Sequence, residues 1–443
     1  MPASPAQADT IIRARWIIPV EGSEAVLEHH ALVIRDGLIA ALLPSADLAG
    51  RWQASEEIDL PDHALMPGLV NAHTHAAMNL FRGLADDLPL MTWLEQHIWP
   101  AEGRWISEEF VQEGTRVAAA EMIRSGTTCF ADMYFFPEAI ARSALEAGLR
   151  ATIFSPVLDF PTPMAQGPED YLRLAVAAHD QWRHESLIHI GFGPHAPYTV
   201  SDGPLQKVVT YAEELDAPIM MHVHETAGEV AMAVDNTGER PLGRLEALGL
   251  LTPRLLAVHM TQLTEAEIRL LAETGVSVIH CPESNLKLAS GFCPVEQLRQ
   301  AGVNLALGTD GAASNNDLDM LGEMRTAALL AKGVAGAADA LPAAAALEMA
   351  TLGGARALGL DQQIGSLLVG KQADVIALDL GELESQPLYD PRAQIVYTCS
   401  RHQVTHSWVA GRCLLRARQL QTLKEDRVAR DARSWGDKIR GEQ

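Results

Sequence analysis

Between residues 65 and 310 the chain alternates short, near-continuous apolar runs with longer stretches whose apolar positions recur every three or four residues. Eight runs have strand length: Leu65–His75, Thr127–Met133, Ala151–Leu158, Leu187–His195, Pro218–Glu225, Leu255–Thr261, Val276–Pro282 and Val303–Asp310. Runs without a polar face belong to strands buried on both sides. The stretches between them, among them Glu108–Arg124, Pro168–Trp182, Leu205–Leu215 and Glu265–Glu273, carry the helical period. Strand and helix alternating eight times predict a parallel sheet closed into a (β/α)8 barrel of the TIM type.

The flanks differ. Ile11–Val20, Ala31–Leu42 (with a turn at Asp36-Gly37) and Glu57–Leu60 are short strand-like runs, and Gly365–Leu380 and Val404–Leu415 resume that style after the barrel. Neither flank holds enough apolar residues for a core of its own, so the two are expected to join in one small β-sandwich. The expected organisation is residues 1–64 as the first part of the sandwich, 65–364 as the barrel, and 365–443 as the rest of the sandwich with a charged, helical or loose tail from Lys424. The Ala-rich stretch Ala335–Ala346 reads as helix rather than linker.

Composition narrows the partners. The chain has 34 Lys and Arg against 57 Asp and Glu, a formal charge of −23. So acidic a surface repels phosphate backbones and anionic lipid, leaving small molecules as the expected partners, with no nucleic acid and no membrane. Five scattered cysteines without a C-x-x-C suit a reducing compartment, and no basic, apolar leader is visible at the N-terminus, so a cytoplasmic location is expected.

Barrel active sites gather at the C-terminal ends of the strands. Here those ends carry His73 and His75, His222 and Glu225, His259, His280, and Asp310. Residues two apart on a strand share a face, so His73 and His75 are expected to converge inside the mouth. Imidazoles and a carboxylate from strands one, five and eight can close around a divalent ion such as zinc with a position left for water. His280 is the weakest member and reads as a wall residue. His224, two residues from His222, is expected behind the ligands rather than among them.

Three segments carry a resemblance: Pro67-Gly68-Leu69-Val70-Asn71-Ala72-His73-Thr74-His75, Glu225 three residues after His222, and Gly308-Thr309-Asp310-Gly311-Ala312-Ala313-Ser314-Asn315-Asn316. Together they resemble the amidohydrolase superfamily, in the branch of chlorohydrolases and nucleobase or nucleoside deaminases. Leu80-Phe81-Arg82-Gly83, Trp93-Leu94, Pro100-Ala101-Glu102 and Gly191-Phe192-Gly193-Pro194-His195-Ala196-Pro197-Tyr198 are similar to 5′-methylthioadenosine/S-adenosylhomocysteine deaminases. The likeness implies hydrolytic deamination at C6 of an adenosine-type thioether nucleoside. The metal, held by His73, His75, His222 and Asp310, would generate hydroxide for attack at C6.

It further implies Glu225 as the proton donor, Asp310 as acceptor of the water's proton, and His259 as a hydrogen-bond partner of the nucleophile. His195 would contact the purine, Glu102 the ribose hydroxyls, and Trp93 would wall the pocket. The ion is expected to be zinc, with iron(II) and manganese(II) as alternatives, and the chain a homo-oligomer, dimer or tetramer. Two-metal relatives use a carboxylated lysine on strand three or four, but the first lysine in this chain is Lys207, so one metal is expected.

Some relatives place an arginine just after strand three, whereas none occurs here between Arg150 and Arg173. A homocysteinyl carboxylate would then lack its cationic partner, favouring methylthioadenosine. The alternatives are another mononuclear aminohydrolase or chlorohydrolase, acting on guanine, an oxidised purine, a pterin or a triazine, and, from a different class, a metal-free scaffold protein.

Overall fold

A computed structural model of the chain describes residues 5–21 and 26–441. In chain order the strands are β1 (Ala6–Ile17), β2 (Leu27–Arg35), β3 (Leu38–Pro44), β4 (Trp52–Pro67), β5 (Leu69–Thr74), β6 (Thr127–Asp132), β7 (Arg150–Val157) and β8 (Ile188–Pro194). There follow β9 (Ile219–Val223), β10 (Leu255–His259), β11 (Ser277–His280), β12 (Leu305–Leu307), β13 (Val375–Asp379), β14 (Val404–Val409), β15 (Arg412–Arg416) and β16 (Gln419–Leu420). β5 to β12 form one parallel sheet in sequence order with helices between the strands, the expected barrel. The other eight form a second sheet in the order β16-β15-β14-β13-β4-β1-β2-β3, so both chain ends contribute to the smaller unit. Ile12, Leu32, Leu65, Val375 and Trp408 share one of its cores.

The helical stretches Glu108–Arg124 and Pro168–Trp182 form as the periodicity predicts, the first capped by Ser107 Oγ accepting from the Phe110 N–H at 3.2 Å. Asp36 and Gly37 turn β2 into β3 with φ of 53° and 77°, the left-handed pair such hairpins need. The tail is a helix, Glu425–Gly441, and its last two residues lie outside the described ones. No helix among the described residues is long and apolar enough to cross a membrane.

Two expectations need correction. The run Leu65–His75 is not one strand: Leu65 to Pro67 finish β4 against β13, and the chain then changes sheets at Gly68. A Cβ at Gly68 would lie 2.0 Å from Thr128 Oγ1, so only glycine lets β4 and β5 meet there. The stretch Ala335–Ala346 is mostly a connection between two helices, because Gly336 terminates Met320–Ala335 in a left-handed cap and Pro342 precedes Ala343–Met349.

Barrel and terminal sheet are joined by a buried ion pair. Arg150, at the start of β7, bonds Asp374 through Nε at 3.1 Å and also donates to Gln372 Oε1 and the Ser186 carbonyl. Asp374 Oδ1 accepts in turn from the Ala410 N–H at 2.7 Å. Removing one partner strands the other charge in the interior, so Arg150→Met is expected to lower unfolding free energy by about 3–5 kcal/mol. Equilibrium urea denaturation checks this. Arg13→Ala, which breaks surface pairs with Glu57 and Asp59, should cost at most about 1 kcal/mol.

Candidate active site

The barrel closes where β12 meets β5, and side chains supplement the backbone there. Asn71 Nδ2 donates to Thr309 Oγ1 at 2.7 Å, and the Thr309 N–H returns a bond to Asn71 Oδ1 at 3.0 Å. The Asp310 N–H donates to the His73 carbonyl at 3.0 Å. Gly308 makes this approach possible, since a Cβ there would lie 2.8 Å from His73. The result is that the Asp310 carboxylate meets both strand-one imidazoles, with Oδ1 3.5 Å from His73 Nε2 and 3.3 Å from His75 Nε2.

The tautomers follow from the partners. His75 Nδ1 donates to the Met133 carbonyl at 2.6 Å and His222 Nδ1 to the His195 carbonyl at 2.7 Å. His73 Nδ1 sits 3.1 Å from Met220 Sδ, a weak acceptor. Burial pushes His73 down to about 4 and His222 well below its usual value, so both are neutral at pH 7. A neutral ring with its proton on Nδ1 has a bare Nε2. Two bare nitrogens therefore converge, 3.2 Å apart at His73 and His222, with His75 Nε2 beside the Asp310 carboxylate. Lone pairs held that close repel unless a cation lies between them. A tetrahedral ion with bonds of about 2.1 Å separates its ligand atoms by roughly 3.4 Å, close to the separations found here. The donor set thus fits a divalent metal. The ligand atoms fall into two sets that share His73: His73, His75 and Asp310, and His73, His222 and His259.

Asp310 Oδ2 accepts hydroxyls from Ser284 at 2.7 Å and Ser314 at 2.9 Å, which fixes its rotamer. His259 Nδ1 donates to Asn285 Oδ1 at 2.8 Å, and its Nε2 lies 3.8 Å from Glu225 Oε2. Burial raises the Glu225 carboxyl above its usual value. Its backbone N–H and that of His224 are both accepted by the Glu229 carboxylate, at 2.7 and 3.1 Å. His224 has φ 52°, and this left-handed turn carries its ring out of the site, 3.9 Å from Glu267. The i, i+2 spacing from His222 therefore does not make it a partner ligand. His280 is buried but outside both metal sets and does not line the cavity.

Above these groups lies a cavity of about 300 Å³ lined by His195, Glu102 and Trp93 together with Leu94, Ile98 and Phe160. Trp93 is buried and anchored through Nε1 to the Ala85 carbonyl at 3.1 Å. His195 rests its Nδ1 against Thr199 Oγ1 at 3.0 Å. Trp93 and Glu102 lie on one helical segment that changes character midway. Nine steps of about 100° would put them on opposite faces. A widened π-type turn at Leu94–Ile98 separates them, and both line the cavity.

The structure brings His73, His75, His222, Glu225, His259, Asp310, His195, Glu102 and Trp93 together, whereas His280, expected as a wall residue, stays outside the cavity. Tyr134, Glu229, Asn285, Ser284 and Ser314 were not anticipated. Ser284 and Asn285 were within reach, because Pro282-Glu283-Ser284-Asn285 follows directly on the end of β11, where barrel chemistry collects.

The amidohydrolase family model matches residues 64–414. The 5-methylthioadenosine/S-adenosylhomocysteine deaminase of Saccharophagus degradans is 55% identical over 98% of both chains. That of Teredinibacter turnerae is 50% identical over 97% of this chain and 98% of its own. Among solved structures, an adenosine deaminase from Xanthomonas campestris with bound zinc superposes with a TM-score of 0.98 at 54% identity, covering 99% of this chain and 100% of the other. An atrazine chlorohydrolase from Arthrobacter aurescens, complexed with zinc, shares the fold at a TM-score of 0.90 and 23% identity, over 96% and 99% of the two chains.

Purified protein is expected to carry close to one equivalent of divalent metal by elemental analysis. His222→Ala should lose most of it, whereas His224→Ala, two residues away but turned outward, should retain it.

Proposed function

The chain belongs to the amidohydrolase family, and we propose that it is a metal-dependent aminohydrolase acting on a thioether nucleoside. It converts 5′-methylthioadenosine, in preference to S-adenosylhomocysteine, to the inosine analogue and ammonia. One observation carries this reading. A buried carboxyl, Glu225, stands beside a set of bare imidazole nitrogens and the Asp310 carboxylate at the floor of a largely apolar cavity. Polar groups able to donate and accept protons lie at one end, and room for an apolar substituent lies at the other.

His73, His75, His222 and Asp310 would hold a divalent ion, zinc in the first instance, which would supply the Lewis acidity that lowers the pKa of water towards neutrality. Asp310 accepts a proton from the attacking water, and the Ser284 and Ser314 hydroxyls keep its carboxylate aimed. Glu225, protonated more readily because it is buried, gives its proton to a ring nitrogen as oxygen bonds to C6. The ionised Glu225 then takes the proton of the added hydroxyl and passes it to the amino group as the C6–N bond breaks, leaving the ring carbonyl and ammonia, and the proton held by Asp310 returns to Glu225. His259, held at Nδ1 by Asn285, presents Nε2 to the water. His195 contacts the purine, Glu102 accepts from the ribose hydroxyls, and Trp93 closes the wall against solvent.

The preference for the shorter substrate rests on charge. Among the described residues no lysine or arginine lines the cavity, and the loop after β7 supplies Phe160, Pro161 and Pro163. A methylthio group is content there, whereas a homocysteinyl carboxylate would be desolvated without a partner. The five free cysteines support a reducing, cytoplasmic setting.

Glu225→Gln should lower kcat for ammonia release from 5′-methylthioadenosine by about 10²–10⁴ while leaving bound metal unchanged. In the same absorbance assay, kcat/KM for 5′-methylthioadenosine should exceed that for S-adenosylhomocysteine; the reverse order would refute the charge argument. Full activity of Glu102→Ala would instead favour a free base or triazine as substrate.

A further inference from the structure

Glu102 sits on the short helix Trp99–Trp105, and its side chain is held by the Tyr134 hydroxyl, which donates to Glu102 Oε1 at 2.7 Å. Tyr134 comes from the barrel wall, directly after Asp132, which holds the Ala76 N–H at 2.8 Å, and Met133, whose carbonyl orients His75. Its ring is buried, and burial together with the adjacent carboxylate raises the phenol well above its usual value, so it remains a donor. Burial pushes Glu102 up to about 7, and the Tyr134 bond acts in the opposite sense, favouring the ionised form.

With Oε1 committed to the phenol, Oε2 is the oxygen left for a ligand. A carboxylate fixed at one oxygen presents the other in a defined direction, whereas an untethered glutamate would spread over several rotamers. Vicinal hydroxyls two atoms apart need that direction to be fixed.

We propose that Tyr134 is a positioning residue that makes the enzyme selective for substrates with an intact 2′,3′-diol, by holding the Glu102 carboxyl aimed at the ribose. The inference rests on reading the cavity as a nucleoside site.

The test compares 5′-methylthioadenosine with its 2′-deoxy analogue in the wild-type holoenzyme, Tyr134→Phe, Glu102→Ala and the double variant. Wild type should favour the ribonucleoside. Tyr134→Phe, which keeps the ring and its packing, should raise KM for the ribonucleoside roughly tenfold with little change in kcat, and leave the deoxy analogue nearly unaffected. In the Glu102→Ala background the same substitution should no longer alter the ratio. An equal rise in KM for both substrates, a fall in kcat alone, or an undiminished preference for the ribonucleoside in Tyr134→Phe overturns the assignment. Absence of ammonia release from the wild-type holoenzyme with either substrate would defeat the deaminase reading itself, and this inference with it. Loss of ribose selectivity in Glu102→Ala but not in Tyr134→Phe would defeat the inference alone.

Discussion

The approach of β12 to β5 is the constraint from which the rest of the site follows. β12 is only three residues long, too short to hold the seam by backbone bonding alone. Asn71 and Thr309 supply paired side-chain bonds, and Gly308 removes the Cβ that would keep the strands apart. Because the seam runs directly into His73 and Asp310, closing the barrel and assembling the candidate metal site are one event. A substitution that loosened the seam would therefore be felt at the centre before it was felt in the outer helices.

A second regularity lies in the backbone at the strand ends. His224 after β9, His259 at the end of β10 and Asp310 after β12 all have positive φ, at 52°, 76° and 61°. None is glycine, and each such residue costs of order 1–3 kcal/mol unless its surroundings enforce it. The enforcement is visible. Glu229 takes the N–H groups of His224 and Glu225, Asn285 takes the His259 ring, and the Gly311 N–H bonds Asp310 Oδ1 at 2.8 Å. Strain of this kind redirects side chains that strand alternation would send elsewhere. It explains why His222 faces the centre while His224 does not.

That strain also marks the limit of what the sequence discloses. Strand count and the polar ends of the strands were legible, because buried parallel strands leave unbroken apolar runs and barrel chemistry collects at one end of them. The register of His73 and His75 followed from period two. Glu102 and Trp93 were legible only through resemblance, since no rule of periodicity brings residues nine apart on a helix to one cavity, and a widened turn lies between them. Tyr134 and Glu229 were hidden for a different reason. Their importance lies in the partner each holds, and partner choice is a property of the folded chain. The sheet change at Gly68 was likewise invisible inside an apolar run, because burial in either sheet asks for the same residues.

The cavity pairs a polar floor with an apolar roof. Everything nonetheless depends on one ion lying within the ring of side chains at the floor. The most direct measurement is anomalous diffraction from crystals of the purified protein at the absorption edge of the metal it carries. The account predicts a single peak coordinated by His73, His75, His222 and Asp310. Two peaks, a peak bound by His259 in place of Asp310, or none at the barrel mouth would contradict it.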